Sequence, residues 1–307
     1  MAAMSEPIAY FNGRFVPRSQ ATVPLYDAGF VLGATVTEQL RTFAGQLFRP
    51  AEHWRRLARS LEIVAVDAGL SSGGLDAIAQ RLLQHNLALE PPGGELGLGV
   101  FVTPGPYATL SQGQSPGPTV CLYTYALPFQ LWAAAYEEGV ATITSSIRQI
   151  PGDCWPAGLK CRSRMHYYLA DLEAARTSGG ARAMLLDAGG CVTETSTANI
   201  LFYREGEGLI SPPGEAILPG ITLEFVAELA QELGIAVHRR AIPAKEIETA
   251  DEMLLVSTPS GILPGVRCND RPVGAGRPGA VYRKLLAAFN QSVGVDIARQ
   301  ARRGGAI

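Results

Sequence analysis

Two hairpin signals near the start of the chain constrain its fold more than any other feature. Asn12-Gly13 separates two short β-prone runs, and this dipeptide tolerates the positive φ angles of a tight turn. Ala44-Gly45-Gln46 separates Val36–Phe43 from Leu47-Phe48 in the same way. Strands joined by tight hairpins are antiparallel, so the sequence predicts an antiparallel sheet rather than a series of βαβ units.

The spacing of apolar residues becomes helical beyond Glu52. Apolar residues from Trp54 to Val64 recur at helical intervals, which predicts an amphipathic helix with one buried stripe. A second helix is predicted over residues 75–83. Two apolar runs bounded by glycine and proline, Leu96–Thr103 and Thr119–Tyr125, predict inner strands.

A composition break near Ala126-Leu127-Pro128 starts a new series of elements. Strands are predicted over residues 139–144, 183–187, 199–203, 236–238 and 253–256, and helices over 164–176, from 221 onwards and over 282–289. Residues 257–261 are predicted to form a loop. A chain of 307 residues is long enough for two cores. We therefore predict an α+β protein with two domains, 1–127 and 128–307, that meet at a cleft.

Charge and cysteine usage narrow the class of function. The 26 basic and 28 acidic side chains give a net charge of −2, so no broad cationic field is available for nucleic acid or for an anionic membrane. A small-molecule substrate is the better prediction. The basic run Arg299–Arg303 is expected to be a solvated tail. The five cysteines form no C-x-x-C pair, which is typical of the reducing cytoplasm.

Two further classes of protein are disfavoured. The chain has no run of about eighteen apolar residues and no targeting pattern at its start, so neither a membrane span nor a signal peptide is expected. The four histidines have no metal-ligand spacing, so we expect no metal site.

Several short motifs, in this order and at this spacing, resemble those of the class IV aminotransferases, the fold-type-IV pyridoxal phosphate enzymes. They are Asn12-Gly13, Asp27–Gly33, His53-x-x-Arg56-Leu57, Lys160, Glu194 with Asn199–Phe202, Leu218–Thr222 and Ala250–Glu252. The resemblance covers nearly the whole chain. It implies two domains, each a mixed or antiparallel sheet with flanking helices, and the cofactor pyridoxal 5'-phosphate in the cleft between them.

Lys160 follows Gly158-Leu159 at the start of an apolar segment. The resemblance makes it the catalytic lysine, which forms the internal aldimine and later moves the Cα proton. A lysine that is desolvated in a pocket has the lowered pKa that this chemistry needs. Taken alone, a lysine is more often a solvated surface residue, and only the accompanying motifs favour the catalytic role.

Glu194 stands shortly after the turn signal Gly189-Gly190. By the resemblance it lies against the pyridine nitrogen of the cofactor and keeps that nitrogen protonated. The alternative is an ordinary acidic residue beside a turn.

The phosphate ligands implied by the resemblance come from three places. Arg56, on the first predicted helix, has a guanidinium fork that matches phosphate geometry, with Arg55 and Arg59 as the competing candidates. Ile221 and Thr222 begin another helix, whose first-turn N–H groups form an anion site.

The remaining implied contacts are less specific. Thr222 is also compatible with simple helix capping. Thr258 is expected to add a hydroxyl to the same phosphate, or else to be an ordinary loop threonine. Leu218 is expected to pack on the cofactor ring, or to be an ordinary core leucine.

The chain departs from the family pattern beside these residues. Leu223 follows the Gly-Ile-Thr step where arginine is common, and Met165 stands where branched-chain enzymes have a tyrosine; Tyr167 or Tyr168 is a candidate replacement. Arg162 and Arg164 are either carboxylate ligands or surface charges.

Two further departures concern the predicted substrate entrance. Val36-Thr37-Glu38 replaces a run that contains tyrosine in many relatives. Pro106–Thr109 stands after Gly105, where the D-amino-acid enzymes have an Arg-x-His pair.

The resemblance implies an aminotransferase that moves an amino group between an amino acid, or a related amine, and a 2-oxo acid. The alternative reaction is that of a pyridoxal phosphate lyase similar to aminodeoxychorismate lyase. A binding protein without catalysis is a third possibility, and the presence of both Lys160 and Glu194 disfavours it. The resemblance also implies a homodimer with active sites near the subunit interface.

Overall fold

The computed structural model describes residues 6–111, 113 and 117–305. Its chain divides into two compact units: unit 1 comprises Met1–Leu127 and Leu159–Ser163, and unit 2 comprises Pro128–Gly158 and Arg164–Ile307. The segment Leu159–Ser163, which contains Lys160, thus belongs to unit 1, whereas the predicted boundary at residue 127 assigns it to the second domain.

The described part of unit 1 contains a six-stranded antiparallel sheet with the order β2-β1-β6-β5-β3-β4. Its elements are β1 (Ile8–Phe11), β2 (Arg14–Pro17), α1 (Ala28–Val31), β3 (Val36–Phe43), β4 (Gln46–Leu47), α2 (Pro50–Ile63), α3 (Ser72–Leu87), β5 (Leu96–Thr103) and β6 (Thr119–Ala126). Both predicted hairpins are confirmed. Asn12 and Gly13 adopt φ angles of 44° and 86°, as a tight turn of this kind requires.

The two long helices of unit 1 pack on one face of the sheet. Pro50 occupies the start of α2, where a missing N–H costs no helical bond. The Ser71 hydroxyl caps α3 by accepting a hydrogen bond from the N–H of Gly74 at 3.1 Å. The core between helices and sheet includes Leu40, Trp54, Leu57, Leu82, Leu98, Val100 and Leu122.

The lysine segment lies along the outer edge of β3. Val36 and Cys161 form an antiparallel bridge, in which the N–H of Thr37 donates to the Lys160 carbonyl at 2.9 Å and the N–H of Arg162 donates to the Thr35 carbonyl at 2.8 Å. Leu159 packs against the core of unit 1. These contacts explain why five residues from a later part of the chain belong to the first unit.

The described part of unit 2 contains a nine-stranded mixed sheet. Its strands are β7 (Val140–Arg148), β8 (Arg182–Leu186), β9 (Val192–Thr195), β10 (Asn199–Arg204), β11 (Gly208–Ser211), β12 (Val237–Arg239), β13 (Glu252–Ser257), β14 (Gly261–Cys268) and β15 (Arg271–Pro272). Its helices are α4 (Ala135–Glu138), α5 (Met165–Thr177), α6 (Ile221–Glu232), α7 (Ala280–Val293) and α8 (Ile297–Gly304).

The strands of unit 2 follow the order β12-β11-β10-β13-β14-β7-β8-β9, and β15 pairs with β14. In addition β9 pairs with β10 through Glu194 and Asn199, so that β7, β8, β9, β10, β13 and β14 form a closed ring. This closure brings Glu194 beside the start of β10.

Two parts of unit 2 differ from the sequence expectations. The sequence predicts no strand after the loop at residues 257–261, but β14 is found there. Its Pro264 and two glycines are residues that rarely occur inside a buried strand. It pairs with β7 only from Gly265 onwards, so at Pro264 the strand needs a partner on the β13 side alone. The basic run Arg299–Arg303 is part of helix α8, anchored by the buried Ile297 and Ala301, and is not a free tail.

Short 3-10 turns occur at Arg18–Gln20, Phe129–Leu131, Gly214–Ala216 and Ala244–Thr249. Within the described ranges, every helix is too short or too polar to cross a membrane.

Candidate active site

Lys160 is partly buried in unit 1, and its backbone is fixed on both sides. Its N–H donates to the Ser60 hydroxyl at 3.2 Å, and its carbonyl accepts from the N–H of Thr37. Ser60 is buried on α2, one helical turn beyond Arg56 and therefore on the same side of the helix. The lysine thus lies on a clamped strand edge, before helix α5 begins at Met165, as the predicted helix over residues 164–176 implies.

Arg56 forms a buried ion pair with Glu38 of β3. Its Nε donates to Glu38 Oε2 at 2.9 Å and its Nη2 donates to Oε1 at 2.7 Å. His53 Nδ1 lies 3.1 Å from the same Oε1. The competing candidates Arg55 and Arg59 are exposed, so the structure distinguishes Arg56 as the arginine whose geometry is held by neighbours.

Burial and charge set the protonation of this cluster. Burial alone would raise the pKa of Glu38, but the charge of Arg56 and the hydrogen bonds from Arg56 and His53 outweigh it, and the net pKa lies far below its usual range. Burial lowers the pKa of His53, and the positive charges of Arg56 and Lys160 add to this effect against the opposing influence of Glu38. Nε2 of His53 is buried without a hydrogen-bond partner among the described residues, which suits a neutral ring.

Glu194 is the centre of the second set of residues, in unit 2. Its carboxylate accepts hydrogen bonds from Gln149 Nε2 at 2.9 Å, from the Tyr167 hydroxyl at 2.8 Å and from Asn199 Nδ2 at 3.1 Å. The N–H of Leu218 lies 3.3 Å from both carboxylate oxygens. Glu194 is only 6% exposed, so these donors hold a negative charge in place inside the unit.

Helix α5 supplies the tyrosine of this set. Burial, and then the charge of Glu194, raise the pKa of Tyr167 well above its usual value, so the hydroxyl remains a donor at neutral pH. The guanidinium of Arg164 lies 4.4 Å from the centre of the Tyr167 ring, and Nη2 of Arg164 donates to the carbonyl of Ser196. Met165 is 68% exposed. Of the two candidate replacements for the family tyrosine, Tyr167 is the one that contacts Glu194, whereas Tyr168 is exposed.

Helix α6 begins at Ile221, as predicted, with Gly220 at its N-cap. A helix N-terminus presents amide N–H groups that have no acceptor within the helix. The Thr222 hydroxyl is buried and has no hydrogen-bond partner among the described residues, and it makes no cap contact. Because an unpaired buried hydroxyl is costly, this atom indicates a ligand oxygen that belongs beside it.

Leu218 and Thr258 lie at the same end of the closed ring as Glu194. Asn199 pairs with Glu194 on one side and with Val256 on the other, so two strand spacings of about 5 Å each separate Glu194 from the end of β13. Thr258 occupies the turn that follows β13. Leu218 is half-buried, and its carbonyl accepts from Asn199 Nδ2 at 3.0 Å.

These residues have the chemistry that pyridoxal phosphate requires. Unit 2 offers a fixed carboxylate for a pyridinium nitrogen, together with an unpaired hydroxyl at a helix N-terminus for a phosphate. Unit 1 offers a lysine amine and a buried guanidinium. The orphaned Thr222 hydroxyl is the observation that argues most directly for a bound anion.

One supporting residue lies elsewhere than the sequence indicates, and another is not predicted from the sequence at all. The sequence places Glu38 at the substrate entrance, but it is buried against Arg56 and His53. The signal that could have found it is its position two residues from both Val36 and Leu40, which places Glu38 on the core face of β3. Gln149 lies just beyond β7, and nothing in its local sequence marks it as a partner of Glu194.

The family model described as "Amino-transferase class IV" matches residues 35–268. The chain belongs to the class IV aminotransferases. The D-alanine aminotransferase of Bacillus licheniformis is 27% identical over 285 residues, which cover 92% of this chain and 96% of that protein. Among solved structures, the branched-chain amino acid aminotransferase of Escherichia coli has a TM-score of 0.84 and 25% identity, covering 93% of this chain and 94% of that one.

A second branched-chain amino acid aminotransferase, from T.th., has a TM-score of 0.83 and 23% identity and covers 94% of this chain and 95% of that one. That structure contains pyridoxamine 5'-phosphate. This class IV aminotransferase therefore has the α+β fold of fold type IV and uses pyridoxal phosphate to act on amino acids. The lyase alternative is not favoured.

Proposed function

We propose that this aminotransferase moves an amino group from an amino acid to a 2-oxo acid, with Lys160 as the catalytic residue. The observation that carries the proposal is the Glu194 carboxylate, which is buried and held by Gln149, Tyr167 and Asn199. A fixed negative charge of this kind is useful only if a positive group binds against it, and a pyridinium nitrogen is such a group.

Bound pyridoxal phosphate supplies an electron sink for the pair of electrons left when the Cα–H bond of the substrate breaks. Lys160 removes the proton from Cα of the amino acid and returns one to Cα when a 2-oxo acid is converted in the opposite direction. The clamp formed by Thr37 and Ser60 on its backbone limits the positions that the amine can reach.

The other residues orient the cofactor and neutralise the charge of its phosphate. Arg56, fixed by Glu38, is a proposed ligand of the cofactor phosphate. The Thr222 hydroxyl, the first-turn amides at Ile221 and the Thr258 hydroxyl are the proposed phosphate ligands from unit 2. Leu218 packs against the cofactor ring. Residues 128–307, apart from the lysine segment, thus form the domain that contributes most contacts to the cofactor.

We also propose a cytoplasmic homodimer. Exposed apolar side chains are concentrated around α1, where Leu25 is 79%, Phe30 is 71% and Leu32 is 59% exposed. A contiguous exposed apolar segment is typical of a surface that a second protein covers, and a second copy of this chain is the proposed occupant. The five cysteines are all free thiols, which suits a reducing compartment.

The proposed reaction is tested by following alanine and a branched-chain amino acid, each as both enantiomers, with 2-oxoglutarate as acceptor. This panel covers the substrates that the relatives are named for. We expect glutamate and the matching 2-oxo acid to form over many turnovers only when protein, pyridoxal phosphate and acceptor are all present, with at most one equivalent of 2-oxo acid per chain when the acceptor is omitted. The Lys160→Ala variant is expected to be inactive. A protein that binds pyridoxal phosphate but forms no glutamate with any of these donors would contradict the proposal.

A further inference from the structure

The sheet of unit 1 has a second face, which the core does not use. Alternate residues of a strand lie on opposite faces. The core takes Leu98 and Val100 of β5 and Leu122 of β6. The residues that alternate with these core residues along β3, β5 and β6 therefore lie on the opposite face of the sheet. These are Thr37, Gln39 and Arg41 on β3, Gly97, Gly99 and Phe101 on β5, and Cys121, Tyr123 and Tyr125 on β6.

Two glycines in the middle strand make room for two tyrosine rings. Gly97 pairs with Tyr125, and a Cβ added to that glycine would lie 2.2 Å from the Tyr125 ring. Gly99 pairs with Tyr123, and its added Cβ would lie 2.6 Å from the Tyr123 ring. The rings thus lie across β5 towards β3, with their hydroxyl groups over the middle of the sheet. A side chain at either glycine would exclude them.

Arg162 reaches the same face from the opposite edge. It lies two residues beyond Lys160, in the segment that bridges to β3. Its Nη2 donates to the Tyr123 hydroxyl at 3.4 Å, although the arginine itself is exposed. The side chain therefore extends over β3 and meets a tyrosine that comes from the far side of β5.

The Tyr125 hydroxyl is buried and makes no well-aligned hydrogen bond among the described residues. Burial, with a smaller contribution from Tyr123, raises the pKa of Tyr125 to about 12, against the opposing influence of the positive charges of Arg162 and Arg41 and of the neighbouring Gln39 side chain. The hydroxyl is therefore a protonated donor at neutral pH. The nine positions on this part of the face include no Asp or Glu.

We propose that Arg162, together with the hydroxyls of Tyr123 and Tyr125, binds a carboxylate group of the substrate. This inference rests on the proposed function, because it places the carboxylate near the lysine that carries the reaction. A guanidinium and two phenol donors can hold both oxygens of a carboxylate, while Phe101 and the tyrosine rings provide an apolar wall beside it. Arg162 would then determine substrate specificity, because it favours amino acids over amines that lack a carboxylate.

The test follows the half-reaction of the pyridoxal-phosphate-loaded enzyme with single donors, by absorption spectroscopy. The donors are D- and L-alanine, D- and L-glutamate, and α-methylbenzylamine, which has no carboxylate. For Arg162→Gln we expect the KM values for the carboxylated donors to rise by about tenfold or more, since a charge-assisted hydrogen bond is lost. The KM for α-methylbenzylamine should be unchanged or lower. Tyr125→Phe is expected to raise the KM values for the carboxylated donors by about threefold.

The panel also separates the two possible sources of the carboxylate. If the group is the α-carboxylate, alanine and glutamate lose affinity alike; if it is a side-chain carboxylate, only glutamate does. Arg55→Gln serves as the matched control, because Arg55 is an exposed arginine that lies 3.9 Å from the Glu52 carboxylate. The dissociation constant of pyridoxal phosphate, measured by titration of the apoprotein, is expected to be the same for Arg162→Gln and for wild type.

Three results would overturn the inference. They are KM values for the carboxylated donors that do not change in Arg162→Gln, an equal loss for α-methylbenzylamine, and a wild type that reacts only with that amine. A wild-type enzyme that binds the cofactor but reacts with none of the donors is a different failure, since it contradicts the proposed function itself.

Discussion

The Glu38 carboxylate and the Arg56 guanidinium form a two-point ion pair in the interior of unit 1, with N–O distances of 2.9 and 2.7 Å. Both side chains are almost fully buried. A buried pair of this geometry contributes little net stability, but breaking it leaves an uncompensated charge. The pair therefore fixes the direction of the guanidinium, which the proposed contact of Arg56 with the cofactor phosphate requires.

Glu38→Gln removes the charge and keeps the shape of the side chain. We expect the free energy of unfolding of the apoprotein to fall by about 3 kcal/mol, and the dissociation constant of pyridoxal phosphate to rise by about tenfold. Chemical denaturation and cofactor titration measure the two effects. Glu52→Gln, at a partly exposed acid whose arginine contacts are 3.9 Å long, is the control and should change both values little. A destabilised variant with unchanged cofactor affinity would argue against Arg56 as a phosphate ligand.

Replacing the buried Thr222 hydroxyl is expected to stabilise the apoprotein but to weaken its binding of the cofactor. Thr222→Val removes an unpaired polar atom, so the apoprotein should become more stable by about 1 kcal/mol. The same change should weaken pyridoxal phosphate binding by about tenfold, because a phosphate contact is lost. Thermal unfolding with and without cofactor measures both.

Thr142 provides the matched control for this experiment. It is also fully buried, but its hydroxyl donates to the Arg267 carbonyl at 3.1 Å. Thr142→Val should therefore destabilise the apoprotein by about 1 kcal/mol and leave cofactor binding unchanged. If Thr222→Val, like Thr142→Val, destabilises the apoprotein and leaves cofactor binding unchanged, the Thr222 hydroxyl has a hydrogen-bond partner within the protein and is not a phosphate ligand.

Tyr167 is expected to act on the cofactor through Glu194. Tyr167→Phe deletes the hydroxyl that lies 2.8 Å from the Glu194 carboxylate, while Gln149 and Asn199 still hold it. We expect kcat to fall by about tenfold and the pH at which the bound cofactor changes its absorption spectrum to shift. Tyr168→Phe, at the exposed neighbouring tyrosine, should alter neither. A loss of kcat without any spectral shift would point to a merely structural role for Tyr167.

The lowered pKa of His53 predicts that the folded protein loses stability as the pH falls. Its pKa is lowered in the folded protein, mainly by burial, so the unfolded chain takes up a proton first as the pH falls. The stability contribution is fully present above the unfolded value of about 6.5 and is lost as the pH falls towards the folded pKa, at up to about 1.4 kcal/mol per pH unit. His53→Gln should show a shallower decline of the unfolding free energy as the pH falls below about 6.5. Parallel curves for the two proteins would contradict this account.

The sequence predicts elements well where periodicity or turn chemistry is local. The hairpin at Asn12-Gly13 and the start of α6 at Ile221 are such cases. Strand β14 escapes prediction because its residues, including Pro264, are unusual for a strand, and only its position between β13 and β7 makes it one. Local pattern carries no information about such long-range pairing.

The same limit applies to the site. Motif resemblance identifies Lys160, Glu194 and Arg56 as candidates, because those residues stand in recognisable local surroundings. It does not identify Glu38, which lies far from Arg56 in sequence and meets it only through the packing of α2 on β3. Nor does it indicate that Lys160 is held on the edge of β3, since the bridge between Val36 and Cys161 joins distant parts of the chain.

Peptide mapping shows which lysine forms the bond to pyridoxal phosphate, and Lys160 is the residue expected. The purified protein is loaded with pyridoxal phosphate, reduced with borohydride to make any bond to an amine permanent, digested and examined by mass spectrometry. We predict that the added phosphopyridoxyl mass lies on Lys160 at close to one group per chain, and that Lys160→Ala acquires none. A label on Lys245 or Lys284 with Lys160 unmodified would contradict the account.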